Sequence, residues 1–266
     1  MKFVRSFFSD LMTHRRLIFE LAKKDFTSAY TGSALGFFWS LLEPMVYISI
    51  MWVFFTQAAR YSPSGHFPFI VWLMTNMIFW YFISGAITNT SRVFRGHSFM
   101  LKRWQFNMSI LPVVGIISTF FNHLIFVIIL FAIYMVSGIP LSLYWFQALY
   151  YIFAASMLIV GLSWITSSLS LFFKDVSNVI AILLQLGFWL SPIFWDIDSF
   201  PVKYKIFVKL NPLYYVMAGY RNSFLNDIPF WSDTYSMVYF WLFTGVVWTT
   251  GAFTYKRLRP HFGEVI

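Results

Sequence analysis

Apolar residues in this chain gather in blocks long enough to cross a bilayer, and polar residues collect between the blocks. The first block, Leu35–Gln57, is 23 residues long and nearly all apolar, yet it carries Glu43 followed by Pro44. About 20 apolar residues rising 1.5 Å each cover the roughly 30 Å hydrocarbon core of a membrane. Similar blocks at Phe67–Thr88, Leu111–Val136, Trp145–Phe173, Val179–Trp195 and Met237–Tyr255 bring the predicted crossings to six. The expected fold class is therefore an all-α integral membrane protein.

The segments between the blocks have their own patterns. In residues 1–34, Leu17, Ile18, Leu21 and Ala22 recur at helical spacing among Arg15, Arg16, Lys23 and Lys24, which predicts an amphipathic helix lying on the membrane. Thr31, Gly32 and Ser33 end that pattern. No cleavable signal pattern precedes it, so the start reads as a mature cytoplasmic one. The loop Ser91–Ile110 sets Val93, Phe94, Phe99, Met100, Leu101 and Trp104 among four cations and His97. A short helix docking on a partner protein and a loop snorkelling its basic stems both fit that composition. Gly138 and Pro140 mark a turn, and Asp175 stands where a cap for the next helix belongs. Residues 196–236 are too polar for a crossing, and Pro201 and Pro212 divide them into two predicted short helices near Val202–Leu210 and Tyr214–Leu225. Such helices can dip into the outer leaflet only where protein or water meets their backbone.

Composition supports the membrane reading. Of 266 residues 59% are hydrophobic and 11% charged, against about 25% charged in a soluble domain. The net charge of +9 raises the question of nucleic acid, and the placement of the charges answers it. With six crossings, Arg60, Lys203, Lys205, Lys209 and Arg221 fall on one side and the other 14 of the 19 basic residues on the side of the termini. That split follows the positive-inside rule, placing both termini in the cytoplasm and implying no nucleic acid.

Candidate chemistry is sparse. The chain has no Cys, and its five His show no metal-ligand spacing, so no metal is expected. No phosphate-binding G-x-x-x-x-G-K-[ST] occurs, so the chain is not expected to bind ATP itself. Glu43 is the one acid firmly inside a block, which fits either a gate or a carboxylate near the cytoplasmic end that orients its helix.

The segments LGFFWSLLEP (35–44), FKDV (173–176), LSPIFWD (190–196), LNPLYYVMAGYRNSFL (210–225) and YKRLRPHFGEVI (255–266) carry a resemblance. From about residue 15 onward the chain resembles the membrane subunits of ABC-2 type exporters for polysaccharides and polyol phosphates. Within them, WFQALYYIFAAS (145–156) with segment 210–225 is most similar to teichoic-acid translocation permeases, and the O-antigen and capsule permeases come next.

That resemblance implies a homodimer in a bacterial plasma membrane, bound to two copies of a P-loop ABC ATPase that holds the ATP and Mg. It implies a lipid-linked anionic glycopolymer as substrate. Residues 1–34 become the interface helix region, 35–258 the transmembrane domain and 259–266 a cytoplasmic tail. Loop 91–110 becomes the coupling segment, with Phe94, Phe99, Met100, Lys102, Arg103 and Trp104 as its docking residues. Segment 196–236 becomes an outer re-entrant gate, with Asn211, Pro212, Tyr214, Tyr215 and Arg221. Lys23, Lys24, Arg92 and Arg95 are entrance candidates for a pyrophosphate, although plain positive-inside charges read the same way. Phe38, Trp39, Glu43, Trp72, Tyr81, Trp189 and Phe194 are candidates for the polymer path, although each aromatic also suits packing or an interfacial belt. An enzyme acting on lipid-linked sugars is the competing reading; it calls for clustered acids or histidines, which the chain lacks.

Overall fold

The computed structural model describes residues 2–32, 35–58, 67–98, 108–199 and 201–265. Two amphipathic helices come first, α1 (Lys2–Thr13) and α2 (Arg15–Ser28), followed by α3 (Phe38–Val53). The helix α4 (Phe69–Ser91) leads into the short α5 (Val93–Gly96), and then come α6 (Leu111–Val136), α7 (Gln147–Phe172) and α8 (Val176–Leu190). Two shorter helices, α9 (Val202–Lys209) and α10 (Pro212–Leu225), precede α11 (Thr234–Leu258) and the terminal turn α12 (Phe262–Val265). Among the described residues five helical stretches are long and apolar enough to cross a membrane: Phe38–Gln57, Phe69–Ser91, Met108–Val136, Leu143–Phe172 and Thr234–Glu264. The fifth predicted block differs. Its helix α8 stops at Leu190, so 15 residues give about 22 Å. Pro192 cannot supply the N–H that continuation needs, and Ser191 is already extended.

The bundle is built around α4. Of its most apolar window 72% is buried, against 11% for α3, and α6, α7, α10, α3 and α8 all pack on it. Within a membrane no hydrophobic drive favours helix association, so close packing and internal hydrogen bonds hold the helices together. The stacked Phe79 and Tyr220 rings, 4.1 Å apart and 4° from parallel, join α4 to α10. Trp164 donates its indole N–H to the Ser109 carbonyl at 2.9 Å, and Trp248 donates to the Met157 carbonyl at 2.6 Å. The α7–α11 seam is closest at Gly161 and Gly251, where a Cβ on Gly251 would collide with the Gly161 carbonyl.

Local signals end the elements. The C-terminus of α6 closes with Gly138 at φ +69°, where the Ile139 N–H bonds the Tyr134 carbonyl and the Gly138 N–H bonds the Met135 carbonyl. Pro44 lies inside α3 and denies the Ser40 carbonyl its usual partner. Asp175 stands at the N-cap of α8, but its backbone is already helical and its carboxylate makes no cap bond. The expected apolar face of α2 is formed by Ile18, Leu21 and Ala22, while Leu17 turns outward. The other amphipathic helix docks by Phe7, edge-on to Trp164 and Trp248 at 5.1 and 5.8 Å.

A branched side chain at the α7–α11 seam is expected to cost stability. Gly251→Val should lower the thermal midpoint in detergent by an amount matching about 1–3 kcal/mol of overpacking. Gly245→Val on the same helix, where a Cβ meets open space, should leave the midpoint unchanged within error.

Candidate functional site

One face of α3 carries Trp39, Leu42, Glu43, Val46, Tyr47 and Ile50, spaced by three and four residues so that all line a common stripe. The stripe faces Trp80, Tyr81 and Thr88 of α4 and Ala181, Leu184, Gln185 and Phe188 of α8 across a cavity of about 660 Å³. Three of the residues read from the sequence as path candidates, Trp39, Glu43 and Tyr81, therefore line one cavity. Phe38 opens on the neighbouring groove along the same helix and is half exposed. Trp189 and Phe194 form an edge-to-face pair at 5.1 Å beside Phe188, and Phe194 stacks on Phe55 at 5.1 Å. Trp72 lies elsewhere. It is buried, stacked on Phe69 and covered by the Arg221 guanidinium 4.0 Å from its ring, so its face is not open to a polymer.

Beyond the broken end of α8 lies a polar knot. The Pro192 carbonyl accepts hydrogen bonds from Asn76 Nδ2 at 2.6 Å and from Arg221 Nη1 at 3.1 Å. Arg221, only 4% exposed, also approaches Asp196 at 4.0 Å. Asn211 caps α10 by accepting from the Leu213 N–H and donates back to the Leu190 carbonyl at 3.2 Å, with Pro212 at the first helical position. Tyr214 is buried and faces Lys209 at 6.0 Å. Tyr215 donates to the Phe230 carbonyl at 3.1 Å and meets the Tyr150 hydroxyl, also at 3.1 Å. Asn76 and Gln185 were not singled out from the sequence. The signal was there: an amide at mid-block is costly without a partner.

At the other end of α4 the start of the 91–110 loop is fastened to three places. His97 Nε2 lies 3.5 Å from Asp25 Oδ1 of α2. Arg95 donates to the Ser170 carbonyl of α7, and Arg92 Nε donates to Ser177 Oγ of α8 at 3.0 Å. Phe94 is fully buried between Tyr255 and Phe262, 5.7 Å from each ring. It serves the chain's own packing and does not present a docking face. Phe99, Met100, Lys102, Arg103 and Trp104 lie outside the described residues.

A second cavity, about 580 Å³, opens between α2, α4, α6 and this turn, with Lys24, Asp25, Tyr30, Asn89, Arg92, His97, Thr119 and Asn122 on its wall. Of the four entrance cations only Lys24 and Arg92 meet there. Lys23 and Arg95 are both exposed and not on that wall, and Arg95 donates to the Ser170 carbonyl.

The hydrogen bond that His97 donates to Asp25 raises the His97 pKa above the ordinary histidine value, against an opposing effect of burial. The sign follows: the clasp is complete below about pH 6.5 and is lost as pH rises through the raised folded value. Backbone hydrogen exchange in α2, corrected for intrinsic rate, should show more protection at about pH 6 than at about pH 8.5. His97→Gln should abolish that difference.

A family model described as ABC-2 type transporter matches residues 16–225. The chain is 25% identical over 252 residues to an O-antigen export system permease protein RfbA of Klebsiella pneumoniae, covering 94% of this chain and 95% of that one. A namesake from Myxococcus xanthus is 21% identical over 219 residues, covering 81% and 82%. A bundle of membrane-length helices whose sequence fits this family model over most of its length belongs to the ABC-2 type transporter family, as a permease.

Proposed function

We propose that this permease exports a lipid-linked glycopolymer, working as a homodimer with two copies of a separate ABC ATPase that holds the ATP and Mg. The observation that carries the reading is the α3–α4–α8 cavity. Its aromatic walls offer stacking faces to sugars, and its few polar groups, Glu43, Tyr81, Thr88 and Gln185, allow a polymer to slide without being held. Two of its three helices are otherwise thinly covered. Exposed Trp39, Val46 and Ile50 of α3 and Ile182, Leu183, Leu186 and Trp189 of α8 suit a second copy closing the path. The relatives' names favour an O-antigen-type polysaccharide. A teichoic acid is the second reading, on the resemblance of segments 145–156 and 210–225.

The same reading takes α8 with the non-helical 191–195 stretch as the sixth crossing, which puts both termini in the cytoplasm of a bacterial plasma membrane, as the 14 to 5 charge split favours. It takes loop 91–110 as the coupling segment, since three fastenings at its start would carry a push from an ATPase into α2, α7 and α8 at once. It takes α9 and α10 as the outer gate.

Affinity purification from the native membrane should recover one ATPase in about equal amount. In cells, Trp39→Ala and Glu43→Gln should each reduce surface polymer at least tenfold while the ATPase still co-purifies. Recovery of the chain with glycosyltransferases and no ATPase would instead favour the enzyme.

A further inference from the structure

We propose that the cavity between α6, the start of α7 and α10 binds a neutral, rod-shaped lipophile carrying a hydrogen-bonding oxygen at each end. The inference stands apart from the exporter reading and needs only that α6 and α7 lie in a membrane.

The cavity holds about 600 Å³, inside the usual range for small-molecule sites. Phe120, Leu124, Val127, Phe131 and Met135 of α6 form one wall at helical spacing. Its rim at Met135, Leu143, Phe146 and Leu149 is exposed, so the mouth opens on lipid chains. An apolar wall alone would be satisfied by those chains. Two polar atoms on it are not. His123 Nδ1 and Trp145 Nε1 both line this cavity, both are buried, and neither has a hydrogen-bond partner. On the other side of the imidazole, Nε2 meets the Tyr220 hydroxyl at 3.3 Å, and the Ile78 carbonyl lies near the ring. His123 is only 2% exposed and sits halfway along a membrane-length helix, where an unpaired polar atom is costly.

The two atoms define what would satisfy them. An indole N–H only donates, so the group at the Trp145 end is an acceptor oxygen. The second nitrogen of a neutral imidazole donates or accepts according to tautomer, and a hydroxyl answers both. Among the described residues no Asp, Glu, Lys or Arg lines the cavity, so a charged ligand would be left unpaired in hydrocarbon. Spacing sets the length. Trp145 stacks on Phe131 at 5.1 Å, and Phe131 lies eight residues beyond His123, so the two groups are about 12 Å apart along α6. Tyr220 and Phe224 of α10, with rings 5.0 Å apart, line the slot as well. A bound rod therefore braces α10 against α6 and α7.

The test uses the full chain in phosphatidylcholine nanodiscs, a decane-1,10-diol bearing a mid-chain diazirine, and mass spectrometry of the photolabelled peptides. Label should fall within residues 120–152 and 220–224. Plain decane-1,10-diol should displace it at about tenfold lower concentration than 1-decanol or decane, which share its length and lack one or both oxygens. Trp145→Phe keeps a ring against Phe131 and loses the N–H, and it should erase the diol's advantage over 1-decanol; His123→Phe should do the same. Leu149→Trp, at an exposed position on the rim, should block labelling without lowering the thermal midpoint, so the site is tested even if His123→Phe fails to fold. Label outside those segments, or label unchanged in Leu149→Trp, overturns the proposal. So does a diol no better than 1-decanol in the parent, which would mean that the two buried atoms meet only water.

Discussion

A single carbonyl, that of Pro192, holds the end of the bundle where α8 breaks. Buried backbone groups away from water must find partners inside the protein, and a helix that stops short leaves several without one. Here the Leu190 carbonyl is met by Asn211 and the Pro192 carbonyl by both Asn76 and Arg221. Those three donors come from α4 and from the start and body of α10, so satisfying one chain break fixes three elements. Arg221 is itself buried, and it is kept there by a carbonyl, a nearby carboxylate and the face of Trp72. A buried guanidinium with fewer partners would cost several kcal/mol.

From that fixed end the rest of the arrangement follows along α4. Its buried faces hold α6, α7 and α10, and its remaining face is shared by two cavities. The one lined by α3 and α8 is aromatic with scattered polar groups; the one behind α2 is polar and cationic. Gly85, on the wall of the second cavity, lets α6 come close, since a Cβ there would lie 3.1 Å from the Thr119 methyl. One helix therefore borders both an aromatic cavity and a polar, cationic one.

Much of this was legible in the sequence. Length and apolarity gave five of the six blocks nearly whole, and Pro212 with Asn211 gave the start of α10 within two residues. The remaining block, the fifth, ran too far because Val179–Trp195 is mostly apolar, and apolarity alone does not register that Ser191-Pro192 stops the helix. Trp39, Glu43 and Tyr81, named separately as path candidates, line one cavity, which the sequence alone did not show because helix rotation decides which residues face each other. Spacing could not separate Lys23 from Lys24 or Arg92 from Arg95, because which face a basic side chain takes depends on helix rotation. Trp72 and Phe94 lie buried in the chain's own packing, which the sequence does not show, because an aromatic ring buried in its own chain has the same sequence signature as one that meets a ligand or partner.

The bond from Arg221 to the Pro192 carbonyl is what keeps the stretch after α8 packed away from water, with Ser191 and Ile193 fully buried. The chain has no native cysteine, so a single Ile193→Cys, at a position fully buried beside the knot, can be labelled with a membrane-impermeant maleimide. The account predicts protection with Arg221 present and rapid labelling once Arg221→Gln is added. Equal labelling in both backgrounds would contradict it.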